Sequence, residues 1–130
     1  MDFDVGTAKD NSAFCKITGR YDRNDLAKAF TTCQQQMTDL KNSHLILHCK
    51  EVTSVFGSDF IASETERIII ANNVISAFRE VEGIKIAVVA NLTEVNGFGQ
   101  FLIKMKGIPL EFFDSLEEAL KWISNPGSHN

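Results

Sequence analysis

Histidine and cysteine are the residues of this chain that most readily do chemistry, as proton carriers, nucleophiles or metal ligands. His44 and His48 are four residues apart in the segment HLILHC. On a strand they would share one face but lie about 13 Å apart, too far to bind one metal ion together. His48 could instead meet Cys15 from a neighbouring strand. The pattern is otherwise typical of structural or surface histidines, and no metal site is predicted.

The three cysteines are Cys15, Cys33 and Cys49, an odd number without a C-x-x-C motif. All three fall in apolar patterns, where a cysteine behaves as a small hydrophobic residue. Reduced thiols in a cytoplasm fit this arrangement better than a disulfide framework. We therefore predict a cytoplasmic protein whose cysteines are structural rather than nucleophilic.

The remaining chemical signals are local. The segment NGFG at 96–99 precedes a helical pattern and could offer backbone N–H groups to an anion, but it lacks the full G-x-G-x-x-G pattern. Glu117 and Glu118 lie in the first turn of a predicted helix, where their negative charges interact favourably with the helix dipole. They are not predicted to act as an acid/base pair. No convergent catalytic set emerges, so we predict that the protein is not an enzyme and uses no cofactor.

Size and composition narrow the classes of partner. The chain has 130 residues, the size of one domain, which we place at 1–124 with a disordered tail at 125–130. Its net charge of -4 argues against nucleic acid and against an anionic membrane surface. No apolar run approaches the roughly 20 residues of a membrane span. The acidic N-terminus lacks the apolar segment of a signal peptide.

Two long helices follow from apolar periodicity. Apolar residues spaced by three and four predict a helix over 23–41, which Asp22 or Asn24 could cap. The run of isoleucines at 68–70 could indicate a strand, but a helical wheel puts most apolar residues of 64–81 on one half of the circle. The segment SETE at 63–66 resembles a capping box. Shorter helices are predicted over 96–106 and 115–124, the last with Leu116, Ala119, Leu120 and Ile123 facing inward.

Five strands separate these helices, near 3–6, 12–18, 44–49, 84–90 and 109–113. The first two are joined by turn residues and should form an antiparallel hairpin. The later strands alternate with helices, which implies parallel pairing. We therefore predict an α/β fold with one mixed, mainly parallel five-stranded sheet, an N-terminal antiparallel hairpin and about four helices.

The junction after the third strand is the strongest candidate for a site. Ligands and partners of α/β folds tend to bind at the carboxyl ends of parallel strands. The segment VFGSDF places Phe56 and Phe60 in the same predicted loop as Gly57, Ser58 and Asp59. Two phenylalanines so close together should either pack against the next helix or form an apolar patch for a partner. We predict that this loop binds a protein partner.

Three segments resemble the STAS domain family, and in particular its stand-alone SpoIIAA-like branch of anti-sigma-factor antagonists. They are LILHCKEVTSV, GIKIAVVANL and LEFFDSLEEALKWI. With the predicted element order, the resemblance covers roughly residues 10–124. It implies a STAS-like fold and a non-enzymatic regulatory domain that binds a protein partner in signalling. Apart from the resemblance, a homodimer is one further possibility.

The resemblance also implies a role for Ser58. In signalling STAS proteins the turn after this strand reads Asp-Ser-Ser-Gly, and a partner kinase phosphorylates the serine before the glycine. In this chain Phe56, Gly57 and Asp59 replace the other three residues, so that only the serine matches. Ser58 is a phosphorylation candidate by this alignment, while the residues around it favour a binding surface without a phosphoswitch.

The aromatic residues are also compatible with a second function, the binding of a small apolar ligand. The SpoIIAA-like branch is sometimes grouped with the CRAL-TRIO lipid-transfer fold. Phe98 and Phe101, together with the phenylalanines of the loop, could line a cavity for a small apolar ligand or lipid. Core packing explains these aromatics more simply. An apolar cavity between them would favour ligand binding, and a filled core would favour the interaction domain.

Overall fold

The sheet of the computed structural model has the predicted topology. The structure describes residues 1–53, 64–90 and 106–124. Its strands lie in the order β1-β2-β3-β4-β5, with β1 and β2 antiparallel and every later pair parallel. The fold class is therefore confirmed. The elements in chain order are β1 (Asp2–Thr7), β2 (Ala13–Arg20), α1 (Arg23–Leu40), β3 (His44–Thr53), α2 (Glu64–Phe78), β4 (Lys85–Val89), β5 (Leu110–Phe113) and α3 (Leu116–Ser124).

The described residues contain three helices rather than the predicted four. The helix expected over 96–106 falls almost wholly outside the described ranges, and so does the tail at 125–130. Both stay predictions.

Helix α1 begins at the first of its two predicted caps. The Asp22 side chain accepts a hydrogen bond from the backbone N–H of Asp25 at 2.9 Å, which satisfies one of the unpaired donors of the first turn. At the other end Lys41 adopts a left-handed conformation with φ of 55°. The buried stripe of α1 matches the predicted spacing and consists of Leu26, Ala29, Phe30, Cys33 and Met37.

Helix α2 includes residues 66–71, which confirms the helical interpretation of the isoleucine run. It ends at Phe78, three residues before the predicted end, and a turn leads into β4. Gly83 in that turn has φ of 74°, and a Cβ there would lie 3.2 Å from the Ser43 Oγ. Both facts favour glycine at this position.

Strand β3 is longer than predicted and continues to Thr53 instead of ending at Cys49. The extension has a tertiary cause, because β2 runs to Arg20 and supplies backbone partners along its whole length. Gly19 pairs with Val52, and Arg20 pairs with Thr53, after a register shift beyond Lys16. Residues 51–53, which lie beyond the predicted end of this strand, are therefore part of β3.

The sheet separates two apolar clusters. Helices α1 and α2 pack on one face, where Cys15, Phe30, Leu47 and Phe78 are among the buried residues. Helix α3 packs on the other face, over Ile46, Ala87 and Val89, with its own Ala119 and Ile123.

The structure excludes the suggested contact between His48 and Cys15 and corrects the predicted inward position of Leu116. Cys15 pairs with Leu47, whereas His48 pairs with Lys16, so Cys15 and His48 project from opposite faces of the sheet and cannot meet. Leu116 of α3 is 36% exposed, because it lies in the first turn of a short helix whose buried residues are Ala119 and Ile123.

Candidate functional site

The candidate site lies at the carboxyl ends of β2 and β3, where the polypeptide leaves the sheet toward α1 and α2. Tyr21 follows β2, and its backbone N–H donates to the carbonyl oxygen of Thr53, the last residue of β3, at 2.8 Å. The start of α1 is thereby attached to the residue that precedes segment 54–63. This edge is the usual place for ligands and partners in a parallel sheet.

The side chains of Tyr21 and Arg23 reach the first turns of α2. The Tyr21 hydroxyl donates to Glu66 Oε2 at 2.9 Å. Arg23 donates from Nε to Glu66 Oε2 at 3.2 Å and from Nη2 to Oε1 at 3.0 Å. This two-point geometry is the strong form of an arginine–carboxylate contact. We call these three residues the Tyr21–Arg23–Glu66 clamp.

The environment of the clamp shifts its ionisation in a consistent way. The hydrogen bond from Arg23 is the main reason that the pKa of Glu66 is lowered; burial opposes it, and the bond from Tyr21 adds a smaller lowering. Burial, followed by the bond to Glu66 and its negative charge, raises the pKa of Tyr21. At neutral pH the clamp therefore consists of a neutral phenol, a guanidinium cation and a carboxylate.

The geometry of the clamp is suited to holding neighbouring chain segments in place rather than to catalysing a reaction. Tyr21 contacts both Thr53 and Glu66, which flank segment 54–63 in the chain, and Arg23 adds a second contact to Glu66. The two ends of that segment are thus attached to the same short stretch of polypeptide. The predicted binding residues of the segment are Phe56, Gly57, Ser58, Asp59 and Phe60, and they lie outside the described residues, so their roles stay predictions.

The sequence did not single out the clamp. Glu66 reads locally as the last residue of a capping box, and its partners lie 45 and 43 residues away. Tyr21 and Arg23 read as the ordinary polar start of a helix. Their one signal is position, because they follow a strand directly and a helix start then brings them to the carboxyl edge.

Cys15 and Cys33 belong to the buried cluster beneath α1 and α2, and the partly buried Cys49 packs against it. Cys15 and Cys33 are fully buried, and no disulfide joins the three cysteines. The hydrogen bond with Cys15, together with burial, raises the pKa of Cys33. Burial raises the pKa of Cys49 to about 12. Cys33 and Cys49 are therefore protonated at neutral pH, as structural thiols should be.

The histidines share the α3 face of the sheet, as predicted. Burial, followed by the charges of Lys85 and Lys16 respectively, lowers the pKa values of His44 and His48 below their ordinary range. Both rings are therefore neutral at pH 7. Within residues 1–53, 64–90 and 106–124, no group of three or more His, Cys, Asp or Glu residues could hold a metal ion.

The predicted ligand cavity also falls outside the described ranges. Phe98 and Phe101, like the phenylalanines of the loop, are among the residues that the structure does not describe. The alternative function in binding a small apolar ligand or lipid therefore stays a prediction. Among the helices that the structure does describe, none is long and apolar enough to cross a membrane.

The sheet order and the helices on its faces define an α/β fold of the SpoIIAA-like type. The chain is similar to the crystal structure of an uncharacterized protein of the DUF3478 family with a SpoIIAA-like fold, from Shewanella loihica PV-4. The TM-score is 0.57 at 11% sequence identity, over 94% of this chain and 92% of that chain. No family model matches the chain, and no curated protein matches it. At this identity the likeness shows the fold alone.

Proposed function

We propose that this chain is a non-enzymatic protein-interaction domain, and that its partner docks on the carboxyl edge of β2 and β3 through residues 56–60. The SpoIIAA-like fold supports a domain of the STAS type. A regulatory role resembling that of anti-sigma-factor antagonists is the finer form of this proposal, and it rests on fold analogy.

The clamp is the observation that carries the proposal. An interaction loop binds more tightly when its ends are held in place, because less conformational entropy is lost when the partner binds. Thr53 is bonded to the backbone of Tyr21, and Glu66 is bonded to the side chains of Tyr21 and Arg23. These contacts fix the distance that segment 54–63 has to span.

The contacts of the clamp residues also favour binding over catalysis. The Glu66 carboxylate accepts three hydrogen bonds, and its pKa is lowered, so it is poorly suited to act as a general base near neutral pH. The raised pKa of Tyr21 likewise keeps its hydroxyl protonated. A structural role that orders a neighbouring loop accounts for both groups.

The test starts from capture of the partner by the wild-type chain, identification by mass spectrometry, and calorimetry with the purified partner. We expect Phe56→Ala and Phe60→Ala to weaken binding strongly, because they remove the apolar contacts of the loop. Arg23→Gln should weaken it to a smaller extent by loosening one end of the loop. Lys121→Gln removes an exposed ion pair with Glu117 on α3, which packs on the other face of the sheet, and serves as the matched control.

The serine variants distinguish the two forms of the proposal. Ser58→Ala and Ser58→Asp should bind as the wild type does if the loop is a constitutive surface. Loss of binding in Ser58→Asp alone, with both phenylalanine variants unaffected, would identify a phosphoswitch and contradict the binding patch. Equal binding by all loop and clamp variants would overturn the docking site itself.

A further inference from the structure

Strand β1 is an edge strand whose outer side is only partly covered. Within the ranges that the structure describes, β1 pairs with β2 alone. The Gln36 side chain of α1 donates to the carbonyl oxygen of Gly6 at 3.2 Å and to the Thr7 hydroxyl at 3.4 Å, which covers one end of the strand. Among the described residues no second strand lies beside the stretch before Gly6, so another strand can add there by backbone hydrogen bonds.

An open groove lies beside this stretch. It has a volume of about 480 Å³ and is lined by Phe3, Ala27, Lys28, Thr31 and Thr32. The two threonine hydroxyls donate back to carbonyl oxygens of α1, at 3.1 Å and 2.9 Å. Their hydrogens are already bonded within the helix, so the groove does not require a polar occupant. A partly buried phenylalanine beside it favours an apolar side chain.

The opposite face of β1 is acidic. Phe3 and Val5 pack toward the cluster under α1, so Asp2 and Asp4 point to the other side of the sheet, where both are exposed. A strand added beside β1 would have these carboxylates as its nearest cross-strand neighbours. Lys16 is the cross-strand partner of Asp4 on β2, and its ammonium forms an ion pair with Glu51 at 2.8 Å.

We propose that the β1 edge binds an extended segment of a partner protein in which basic residues alternate with apolar ones. The basic side chains would lie beside Asp2 and Asp4, and an apolar side chain would enter the groove beside Phe3. A shift of one residue would bring basic side chains toward Lys28, so the charges specify the register.

A second copy of this chain fits the edge poorly. Antiparallel pairing of β1 with itself would place the acidic residues of one copy against those of the other, and like charges directly opposite are destabilising. The site uses a different part of the molecule from the carboxyl edge of β2 and β3. Its test uses synthetic peptides, so its failure would leave the proposed function intact.

The first experiment compares labelled six-residue peptides by fluorescence anisotropy at about 0.1 M salt, where distant surface charges are screened. The probes are lysine alternating with valine, glutamate alternating with valine, and three lysines followed by three valines. We expect the alternating lysine peptide to bind and to shift the amide NMR signals of residues 2–6. Equal binding of the block peptide, or no binding of any peptide, would overturn the proposal and leave the acidic residues as guards against self-pairing.

Charge variants separate a specific site from general attraction to an acidic protein. Asp2→Lys should lower the affinity for the alternating lysine peptide about tenfold, because an attractive cross-strand pair becomes repulsive. Glu82→Lys makes the same change in net charge on an exposed turn after α2, and it should leave the affinity within about twofold. Equal effects of the two variants, or dimerisation of the chain through β1, would contradict the proposal.

The groove has its own matched pair of variants on α1. Thr31 and Thr38 are both exposed, and the hydroxyl of each donates to the helix backbone at 3.1 Å. Only Thr31 lines the groove. We expect Thr31→Arg to block peptide binding by filling the groove and Thr38→Arg to leave it unchanged, with circular dichroism confirming that both variants are folded. Equal affinities would show that the groove takes no part.

Discussion

Tyr21 is the one tyrosine of the chain, so its ionisation can be followed without interference. Burial, the bond to Glu66 and the carboxylate charge all raise its pKa. We expect an absorbance titration of the phenolate to give a midpoint well above the ordinary value of about 10. Glu66→Gln should lower this midpoint, because it removes the negative charge beside the phenol.

Circular dichroism on the same samples would separate titration of the folded protein from alkaline unfolding. A midpoint near 10 while the protein is still folded would mean that Tyr21 is not bonded to Glu66.

Glu66 should make stability depend on pH in the acid range. Its pKa is lowered in the folded protein, chiefly by the bond from Arg23. The stabilisation of the folded protein by ionised Glu66 is therefore fully present above the pKa of this group in the unfolded chain, about 4.5. It is lost as the pH falls through the lower pKa of Glu66 in the folded protein. We expect Glu66→Gln to cost about 1 kcal/mol at pH 7 and much less at pH 3, measured by urea unfolding.

The exposed Lys16–Glu51 ion pair provides the comparison for this effect. Glu51→Gln should change stability less than Glu66→Gln does, since salt and water screen an exposed pair. A pH-independent effect of Glu66→Gln would assign its role to packing rather than to charge.

At the scale of elements, the sheet and its helices depend on large buried side chains. Phe30 of α1 contacts Phe78 of α2 edge to face, with ring centroids 5.8 Å apart. Ile86 lies in the middle of the sheet and is fully buried. We expect Phe30→Ala and Ile86→Ala each to cost about 2–5 kcal/mol in urea unfolding, because each leaves a cavity.

Leu116→Ala is the control for these core variants, since that side chain is 36% exposed on α3. It should cost less than about 1 kcal/mol, as a partly exposed side chain loses less apolar burial. Equal costs for Leu116→Ala and Ile86→Ala would contradict the burial that separates them.

At the scale of the whole molecule, two apolar clusters share a single sheet, and a buried lysine helps to attach α3 to it. Lys85 at the start of β4 donates to the carbonyl oxygen of Trp122 at 2.7 Å and lies 4.3 Å from the centre of the Trp122 ring. Burial lowers the pKa of this lysine. A cation held over the indole by these contacts connects the helix to the sheet.

The clusters should therefore unfold together. Trp122 is the one tryptophan, and it reports on the α3 face, whereas circular dichroism reports mainly on α1 and α2. We expect fluorescence and circular dichroism to give the same urea midpoint, as a two-state domain requires. An earlier fluorescence transition would show that α3 separates from the sheet before the rest unfolds.

The sequence by itself determined the order of the elements that the structure describes. Local periodicity records which side of a helix or strand is buried, so the stripe of α1, the helical character of 66–71 and the apolar strands could all be predicted. The cap at Asp22 followed from the same local chemistry, since its side chain accepts a bond from an N–H three residues later.

Only the tertiary structure decided which distant residues meet. The length of β3 depends on its partner β2, and the separation of Cys15 from His48 depends on the register between those strands. Glu66 finds Tyr21 and Arg23 across more than 40 residues of chain. Such contacts arise from the packing of whole elements and leave no periodic pattern in the sequence, which is why the clamp that flanks the candidate binding loop emerged only from the fold.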